Sequence, residues 1–512
     1  MGLAAALALT GLSGALYGLA FPGLALAPLG WWPLAWIALV PFLAAVAAGG
    51  ARRAVGLGVL LGVAASYGVG TWMPAAVVSY YEQPFAVGIA IFLACALWQA
   101  SWQFALFALA WRRLARTPRA WTPFAAGATW VAVEVARGHV PFGNPWALLG
   151  YSQTAMPLLV QTADVAGIYG IGFVLAAANA GLALAWRDPQ APAARRALAT
   201  VAVLVAAVVA YGGMRLAAEE GRTAGAATPV VAVQGNLDLG TQWKSEFYGA
   251  NLDAYAKLTS GALAAAPAPL VVWPESALTF FLETDRLYHA AVARYLAAVR
   301  TTLLTGGPRV LTGGGVESFR NAAFVVAPAG TIDAVYEKKT LVPFAEYFPL
   351  GDGLLRRQFG KVREFTPGAL QAPVATPAGA AGVLICNEAM VGATARARVR
   401  DGAAWLVTLT NDSWVGRRHY ADIALAMVRA RAVETRRWLV RASTSGPSAI
   451  VDPGGRIVDR IPFGATGVVR ASIEARTEET PYGTLGDVFA WGCVLLTLIL
   501  QVAIGRKVDG DH

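Results

Sequence analysis

The chain has 512 residues, of which 56% are hydrophobic and only 14% are charged, and its formal net charge is +10. Soluble globular proteins carry about 25% charged residues, so this composition excludes an ordinary soluble enzyme and indicates an integral membrane protein. Much of the positive excess lies in short loops between apolar stretches, where membrane orientation accounts for it, and we therefore expect no nucleic-acid partner.

Apolar stretches long enough to cross a bilayer, which takes about 20 residues, fill the first 214 residues and return near the carboxyl end. The first of them lacks a charged leading region and a cleavage site, so we expect it to be retained rather than removed as a signal peptide. We expect about eight spans, at 3–21, 28–49, 54–75, 85–111, 121–138, 163–186, 196–214 and 485–505.

Basic residues concentrate in every second loop between these stretches. The basic loops carry Arg52 and Arg53, then Arg112, Arg113, Arg116 and Arg119, then Arg187, Arg195 and Arg196, and finally Arg506 and Lys507. The alternate loops, near 22–27, 76–84 and 139–162, carry almost none. Because cytoplasmic loops retain Lys and Arg, we expect both termini in the cytoplasm and the long segment 215–484 on the outer side of the inner membrane.

The segment 215–484 alternates β-branched runs with helical patterns, which is typical of an α/β domain. Its apolar strands are nearly continuous, so we expect sheets that are covered on both faces. We predict strands at 230–234, 270–273, 310–312, 323–326, 383–385, 405–409, 439–442 and 468–473, and helices near 243–265, 285–303, 389–401 and 420–436.

The sequence thus predicts three parts. Residues 1–214 contain spans one to seven, residues 215–484 form the α/β domain, and residues 485–512 contain the last span and a cytoplasmic tail.

Three cysteines are too few and too widely spaced for a disulfide framework. Cys95 and Cys493 lie inside apolar stretches, so Cys386 is the only thiol in the extramembrane segment. The four histidines form no cluster, and no HExxH motif occurs, so we expect neither a metal ion nor another cofactor.

The first motif is Val-Val-Trp-Pro-Glu-Ser at 271–276, where a buried strand stops at a proline and places Glu275 at its end. In a partly desolvated pocket the pKa of a glutamate rises towards neutrality, which makes it a usable general base. Taken alone, Glu275 is equally well explained as a residue that caps the next helix.

The second motif runs from Tyr336 to Tyr347 and contains two lysines, an apolar stretch and Glu346. A lysine ammonium near a reacting carbonyl can stabilise an oxyanion, and a buried lysine needs a nearby carboxylate to stay charged. Without Glu346, a pair of lysines is usually a solvated surface feature.

The third motif is Ile-Cys-Asn-Glu at 385–388, which ends an apolar strand and precedes a helical pattern. At a helix N-terminus the dipole lowers the pKa of a thiol, and the next backbone N–H can serve an oxyanion. A buried structural cysteine is the more common fate of a lone free thiol. Three chemically matched groups at strand ends of one domain favour a catalytic role.

The order Glu, Lys, Cys with Trp-Pro-Glu-Ser, Leu-Val-Pro-Phe and Ile-Cys-Asn-Glu resembles the nitrilase, or carbon-nitrogen hydrolase, superfamily. Within it the flanking spans are similar to the apolipoprotein N-acyltransferases, and the resemblance covers essentially the whole chain. Further matches are Val-Gln-Gly-Asn at 233–236, Thr-Asn-Asp-Ser-Trp at 410–414, the stretch 429–434, Pro-Trp at 145–146 and Gly-Tyr-Ser-Gln at 150–153.

The resemblance implies an α-β-β-α sandwich domain and a ping-pong acyl transfer in the outer leaflet of the bacterial inner membrane. It assigns Glu275 as the base, Cys386 as the nucleophile that carries a thioester, and Lys338 as an oxyanion group. Lys338 is chosen over Lys339 because the family's lysine lies two residues after an aromatic and eight before a glutamate. The resemblance carries over as supporting residues Trp243, Glu346, Asn387, Glu388 and Trp414.

By the same resemblance, the acyl donor is a phospholipid and the acceptor is the α-amine of a diacylglyceryl-apolipoprotein in the bilayer. The chain departs from the usual family pattern at Asn387, Ala345 and His419. Two apolar segments are candidates for a mouth through which lipid reaches the site. One is 278–282, which contains Phe280, and the other is 341–359. The alternative is that both segments simply pack over the domain core.

Two other functions remain open at this point. A membrane-anchored amidase or nitrilase would use the same triad on a soluble amide with water as acceptor, but about eight spans exceed what an anchor requires. A transporter or scaffold with an inactive enzyme domain would explain the spans and leave the intact triad unexplained.

Overall fold

The computed structural model describes residues 1–27, 30–139, 143–222, 225–237, 245–313, 316–347 and 364–509. The chain divides into two compact units. The first consists of Met1–Ala75, Pro84–Gly221 and Leu485–His512, and the second of Ala76–Gln83 and Arg222–Thr484.

The first unit is helical. Its helices are α1 (Leu3–Leu19), α2 (Val40–Ala47), α3 (Ala51–Gly70), α4 (Trp72–Tyr81), α5 (Phe85–Ala96), α6 (Trp102–Leu114), α7 (Thr122–His139), α8 (Pro157–Val160), α9 (Ala163–Arg187), α10 (Pro192–Glu220), α15 (Pro481–Leu485) and α16 (Val488–Asp509). Two of them, α4 and α15, lie partly in the second unit. A π-helical segment, Leu97–Ser101, joins α5 to α6.

Among the described residues, four helices are long and apolar enough to cross a membrane. They are Ala51–Gly70, Phe85–Leu114, Ala163–Arg187 and Pro192–Glu220, and shorter apolar helices occur at Leu3–Leu19, Trp32–Ala47 and Val488–Ala503. The stretch 28–49, expected as one span, is divided into a 3-10 turn (Trp32–Trp36) and α2. Pro33 and Pro41 lie at the starts of these two pieces, because proline has no N–H to donate inside a helix.

The second unit contains two six-stranded sheets, ordered β12-β1-β2-β3-β4-β5 and β11-β10-β9-β8-β7-β6. The strands of the first sheet are β1 (Ala227–Gln234), β2 (Leu270–Val272), β3 (Thr302–Gly313), β4 (Val316–Val326), β5 (Ile332–Glu337) and β12 (Gly467–Glu474). Those of the second are β6 (Val374–Thr376), β7 (Gly379–Ile385), β8 (Trp405–Thr410), β9 (Leu439–Ser443), β10 (Ser448–Val451) and β11 (Ile457–Ile461).

Strands β1, β2 and β3 run parallel in the first sheet, and β7, β8 and β9 run parallel in the second, while the outer neighbours pair antiparallel. The carboxyl ends of parallel strands meet at one edge of a sheet, which is where an open sheet presents a ligand site. The polar segments after β2, β7 and β8 therefore begin at such edges.

Helices cover the outer faces of both sheets. These are α11 (Tyr248–Ala265) and α12 (Arg286–Val299) on the first sheet, and α13 (Gly392–Arg400) and α14 (Arg418–Thr435) on the second. One apolar cluster takes residues from both sheets, such as Val272 and Val407, and so lies between them. Leu296 joins the outer cluster of the first sheet, and Ala395 and Val428 that of the second.

These layers confirm the predicted α-β-β-α sandwich. Every predicted strand and helix of this domain lies on an observed one, because each is an apolar run bounded by turn residues. Strands β5, β6, β10 and β11 were not predicted, since three of them bury only some of their residues and β10 has only four.

Candidate active site

Cys386 sits on a sharp turn directly after the buried strand β7. Its φ is 53°, in the left-handed region, and the residue is 5% exposed. A left-handed backbone costs about 1–2 kcal/mol for a residue with a side chain, so neighbouring bonds must hold it. One of them runs from the Ile385 backbone N–H to Glu388 Oε2 at 2.9 Å.

The thiol is more basic than the sequence indicated. We predicted that a helix dipole would lower its pKa, but Cys386 begins a 3-10 turn of five residues, and α13 starts only after that turn. Burial raises the pKa of the Cys386 thiol, the charges of Glu275, Asp412 and Glu346 also raise it and that of Lys338 lowers it, and the net result is a pKa of about 12. The prediction is therefore wrong, and at neutral pH the thiol holds its proton until a base removes it.

Glu275 is the candidate for that base. It follows β2 after Trp273 and Pro274, and the chain there passes so close to β3 that a Cβ on Gly306 would lie 2.6 Å from Glu275 Cα. Burial raises the pKa of Glu275 to about 7, and the charge of Lys338 opposes that rise. This confirms the predicted shift, and about half of the carboxyl is ionised at pH 7.

Lys338 follows β5 and is 1% exposed, whereas Lys339 beside it is exposed. Its Nζ lies 2.8 Å from Glu346 Oε2 and 2.9 Å from Oε1. Burial alone would lower the pKa of Lys338, but Glu346, together with Cys386 and Glu275, raises it above its ordinary value. The ammonium therefore stays charged inside the domain, as the choice of Lys338 over Lys339 requires.

Glu388 links the lysine segment to the nucleophile turn. Its Oε1 accepts hydrogen bonds from the backbone N–H groups of Lys339 at 2.8 Å and Thr340 at 3.1 Å. Its Oε2 accepts one from the Tyr336 hydroxyl at 2.8 Å, in addition to the one from Ile385. With its side chain fully buried, Glu388 positions other residues.

The other predicted supporting residues have different surroundings. Asn387 is partly exposed, and its Oδ1 accepts no hydrogen bond from any residue that the structure describes. The ring of Trp414 packs edge-on against Tyr80 at 5.7 Å and Tyr420 at 6.2 Å. Trp243 lies outside the described residues.

Asn321 was not identified from the sequence, although it contacts both carboxylates of the site. It lies on β4, and its Nδ2 donates to Glu275 Oε1 at 2.6 Å and to Glu346 Oε1 at 3.2 Å. The other oxygen of Glu275 accepts the backbone N–H of Asn411 at 2.7 Å. The only sequence signal is one polar residue directly before the apolar run 322–326.

One proposed mouth is not on the surface. Leu278, Phe280 and Leu282 are at most 1% exposed and pack in the outer cluster of the first sheet, where Phe280 stacks on Tyr288 at 4.9 Å. For these three residues the prediction is wrong, because their apolar side chains turn back onto α11 and α12. Phe281, which the prediction for this segment also included, is partly exposed and lies against Phe319 at 5.9 Å. In the other segment, 348–359 lies outside the described residues, and Phe344 is 42% exposed.

The chemistry available to this arrangement is nucleophilic. A neutral thiol, a carboxylate that is half ionised at pH 7 and a permanently charged ammonium act on one another in a buried site. Such a set can attack a carbonyl carbon and stabilise the resulting oxyanion. No group of three His, Cys, Asp or Glu that could hold a metal ion occurs in the described part of the chain.

Two family models match the chain. Residues 13–181 match the N-terminal domain of apolipoprotein N-acyltransferase, and residues 230–482 match carbon-nitrogen hydrolase. The apolipoprotein N-acyltransferase of Geobacter metallireducens is 33% identical, over 98% of this chain and 95% of that protein. Those of Bradyrhizobium diazoefficiens and Azotobacter vinelandii are also 33% identical, over 79% and 90% of this chain and 77% and 88% of those proteins.

Proposed function

The chain belongs to the apolipoprotein N-acyltransferase family, and from that premise we propose its reaction. An acyl chain passes from a membrane phospholipid to the α-amine of the N-terminal S-diacylglyceryl cysteine of an apolipoprotein, through a thioester on Cys386. The observation that supports this most is that Cys386, Glu275 and Lys338 are all buried, at most 6% exposed, and that the charges of Glu275 and Lys338 both act on the Cys386 thiol.

In the first half-reaction Glu275 takes the thiol proton as Cys386 Sγ attacks the ester carbonyl carbon of the phospholipid. The oxyanion that forms is stabilised by the Lys338 ammonium and by the backbone N–H of Asn387. Collapse breaks the bond between the carbonyl carbon and the glycerol oxygen. That oxygen takes the proton from Glu275, the lysophospholipid leaves, and Cys386 carries the acyl group.

In the second half-reaction the α-amine of the acceptor attacks the thioester carbon. Glu275 accepts a proton from the attacking nitrogen, and the same two donors stabilise the second oxyanion. Collapse breaks the C–S bond, the proton returns to Cys386 Sγ, and the product is an amide. Because Cys386 is 5% exposed, little water reaches the thioester before the amine does.

We propose about eight spans, with both termini in the cytoplasm and the catalytic segment on the periplasmic side of the inner membrane. The alternation of basic and non-basic loops supports this orientation, and the apolar helices support the membrane setting. Labelling of single cysteines introduced at 82 and at 189 by a membrane-impermeant maleimide on intact cells tests it. We expect labelling at 82 only, and labelling at 189 alone would reverse the orientation.

The reaction is tested with the purified full chain in nanodiscs that contain a phospholipid labelled in one acyl chain. A synthetic diacylated lipopeptide with a free α-amine is the acceptor, and an N-acetylated copy is the matched control. We expect transfer of label to the free amine alone, and no transfer by Cys386→Ala. Label released as free fatty acid at the same rate without acceptor would favour a hydrolase instead.

A further inference from the structure

A second buried ion pair lies beside the active site. Arg441, in the middle of β9, places Nη2 2.7 Å from Oδ2 of Asp412, which lies two residues after β8. The side chains are 1% and 0% exposed. Removing two charges from water is costly even when they are paired, so a buried pair is weak evidence of stabilisation and calls for another role.

Asp412 is fixed from several directions. Its Oδ2 also accepts the Ser443 hydroxyl at 2.6 Å, and its backbone N–H donates to Thr444 Oγ1 at 3.2 Å. A Cβ on Gly446 would lie 2.2 Å from the same Oδ2, so only glycine lets the chain pass this close. Arg441 is held in turn by Nε, which donates to the Pro447 carbonyl at 3.1 Å.

This arrangement acts on the base through the residues on either side of Asn411. The backbone N–H of Asn411 donates to Glu275 Oε2 at 2.7 Å, and it belongs to the peptide unit that joins Thr410 to Asn411. Asp412 Oδ1 accepts the Thr410 hydroxyl at 3.3 Å, and the Thr444 hydroxyl group, which accepts the Asp412 backbone N–H, donates to Asn411 Oδ1 at 2.8 Å. The bonds of Asp412 therefore hold both residues of the peptide unit whose N–H reaches Glu275.

The pair also contributes to the charge around the thiol. Among the described residues, the charged groups that act most on Cys386 are Glu275, Lys338, Asp412 and Glu346. Three of these four are carboxyl groups and only one is a cation, so an unpaired Asp412 would oppose formation of the thiolate. Arg441 supplies the balancing positive charge on the side of β9.

We propose that the Arg441–Asp412 ion pair is a positioning device for the catalytic base, which holds the Asn411 N–H on Glu275 and cancels a negative charge beside Cys386. The inference rests on the proposed function, in which Glu275 is the base. Neither residue touches a reacting atom in this account, so both are positioning residues.

The test uses the purified full chain and measures the rate of alkylation of Cys386 by iodoacetamide between pH 7 and pH 9, with the modified site identified by peptide mass spectrometry. This range lies below the pKa of the thiol, so the rate is proportional to the thiolate fraction, and a change in the pKa appears as a change in rate at fixed pH. The variants are Arg441→Gln, Asp412→Asn and the double variant. The matched control is Arg431→Gln, which breaks an equally buried pair, Arg431–Glu434 at 2.7 Å, whose charges are not among those that act on Cys386.

Loss of a charge near an ionising group shifts its pKa by about one unit or more. We expect Arg441→Gln to slow alkylation about tenfold at each pH, the effect of a rise of about one unit in the pKa of the thiol. Asp412→Asn removes a negative charge and should speed alkylation, and the double variant should return the rate close to that of the unchanged chain. Arg431→Gln should lower the thermal midpoint and leave the alkylation rate unchanged.

A purely structural role would lower thermal stability in all variants and change no alkylation rate, which would overturn the inference. If one single variant fails to fold, the sign of the rate change in the other and in the double variant still decides. Formation of acyl-Cys386 from labelled phospholipid is measured in parallel on the unchanged chain. Acylation with unchanged alkylation rates in the variants refutes this inference alone, whereas changed alkylation rates without acylation refute the proposed function alone.

Discussion

Replacing Asn321 by leucine should shift the acid limb of the reaction to higher pH. The Asn321 amide donates to Glu275 Oε1 at 2.6 Å and to Glu346 Oε1 at 3.2 Å, and it is 6% exposed. Leucine has the same branching and the same number of side-chain heavy atoms but no donor, so the substitution removes both hydrogen bonds and keeps the shape of the side chain. The bond to Glu275 favours the charged carboxylate, so its loss must raise the pKa of Glu275.

The size of the shift follows from the strength of the lost bond. A hydrogen bond to a charged group contributes about 1.5–3 kcal/mol, and one pKa unit corresponds to about 1.4 kcal/mol. The pKa of Glu275, which is about 7, should therefore rise by about one to two units in the variant. At pH 7 the ionised fraction of the base then falls from about one half to about one tenth or less.

The assay is single-turnover formation of acyl-Cys386 from labelled phospholipid between pH 6 and pH 9.5. We expect the rate of Asn321→Leu to fall at least about fivefold at pH 7 and to recover near pH 9. The matched control is Asn251→Leu, since Asn251 is also buried but donates only to the Thr279 hydroxyl, at 3.5 Å. An acid limb that is the same in both variants would refute the assignment of Asn321 to the base.

Three further predictions follow from the same contacts. Lys338→Ala should abolish acylation because it removes a buried ammonium, whereas Lys339→Ala, at an exposed site, should keep the rate within about twofold in the same assay. Glu388→Gln should lower kcat about tenfold or more, since each oxygen of this carboxylate accepts two of its four hydrogen bonds and the amide nitrogen that replaces one oxygen accepts none; an unchanged kcat would contradict its positioning role. Glu275→Gln should stabilise the protein above pH 7, because a buried acid whose pKa is raised to about 7 makes stability fall as pH rises from about 4.5 to 7, by up to about 3 kcal/mol. Thermal midpoints at pH 5 and pH 8 measure this effect, and a larger gain at pH 5 than at pH 8 would contradict it.

The sequence was sufficient for the elements that carry Glu275 and Cys386. Both residues follow apolar strands, and a strand that stops at a polar residue marks both a boundary and an accessible edge. Strand β5, which precedes Lys338, was not predicted because it buries only some of its residues, so Lys338 was assigned through the family resemblance. The pKa of Glu275 was also predictable in direction, since burial alone gives it. The shift at Cys386 was predicted with the wrong sign because the dipole of an expected helix was counted and burial was not.

The contacts between distant segments were not predictable from the sequence. Asn321 reaches Glu275 across 46 residues through the pairing of β3 with β4, and Arg441 reaches Asp412 across 29 residues through the pairing of β8 with β9. Strand register decides such contacts, and no local pattern encodes it. The contact of Tyr80 spans the greatest distance in sequence of these three. Tyr80 lies in the short segment Ala76–Gln83, among the apolar stretches of the first part of the chain, yet its ring packs on Trp414 in the α/β domain.

Mass spectrometry can show directly whether Cys386 carries the acyl group between donor and acceptor. The purified chain is incubated with an isotopically labelled phospholipid without acceptor, digested, and analysed before and after addition of the diacylated lipopeptide. We expect one labelled acyl group on the peptide that contains Cys386, in a thioester that hydroxylamine cleaves. We also expect this acyl group to disappear from the peptide at the rate at which the labelled amide product forms. Product that forms at full rate while that peptide stays unmodified would show that Cys386 does not carry the acyl group.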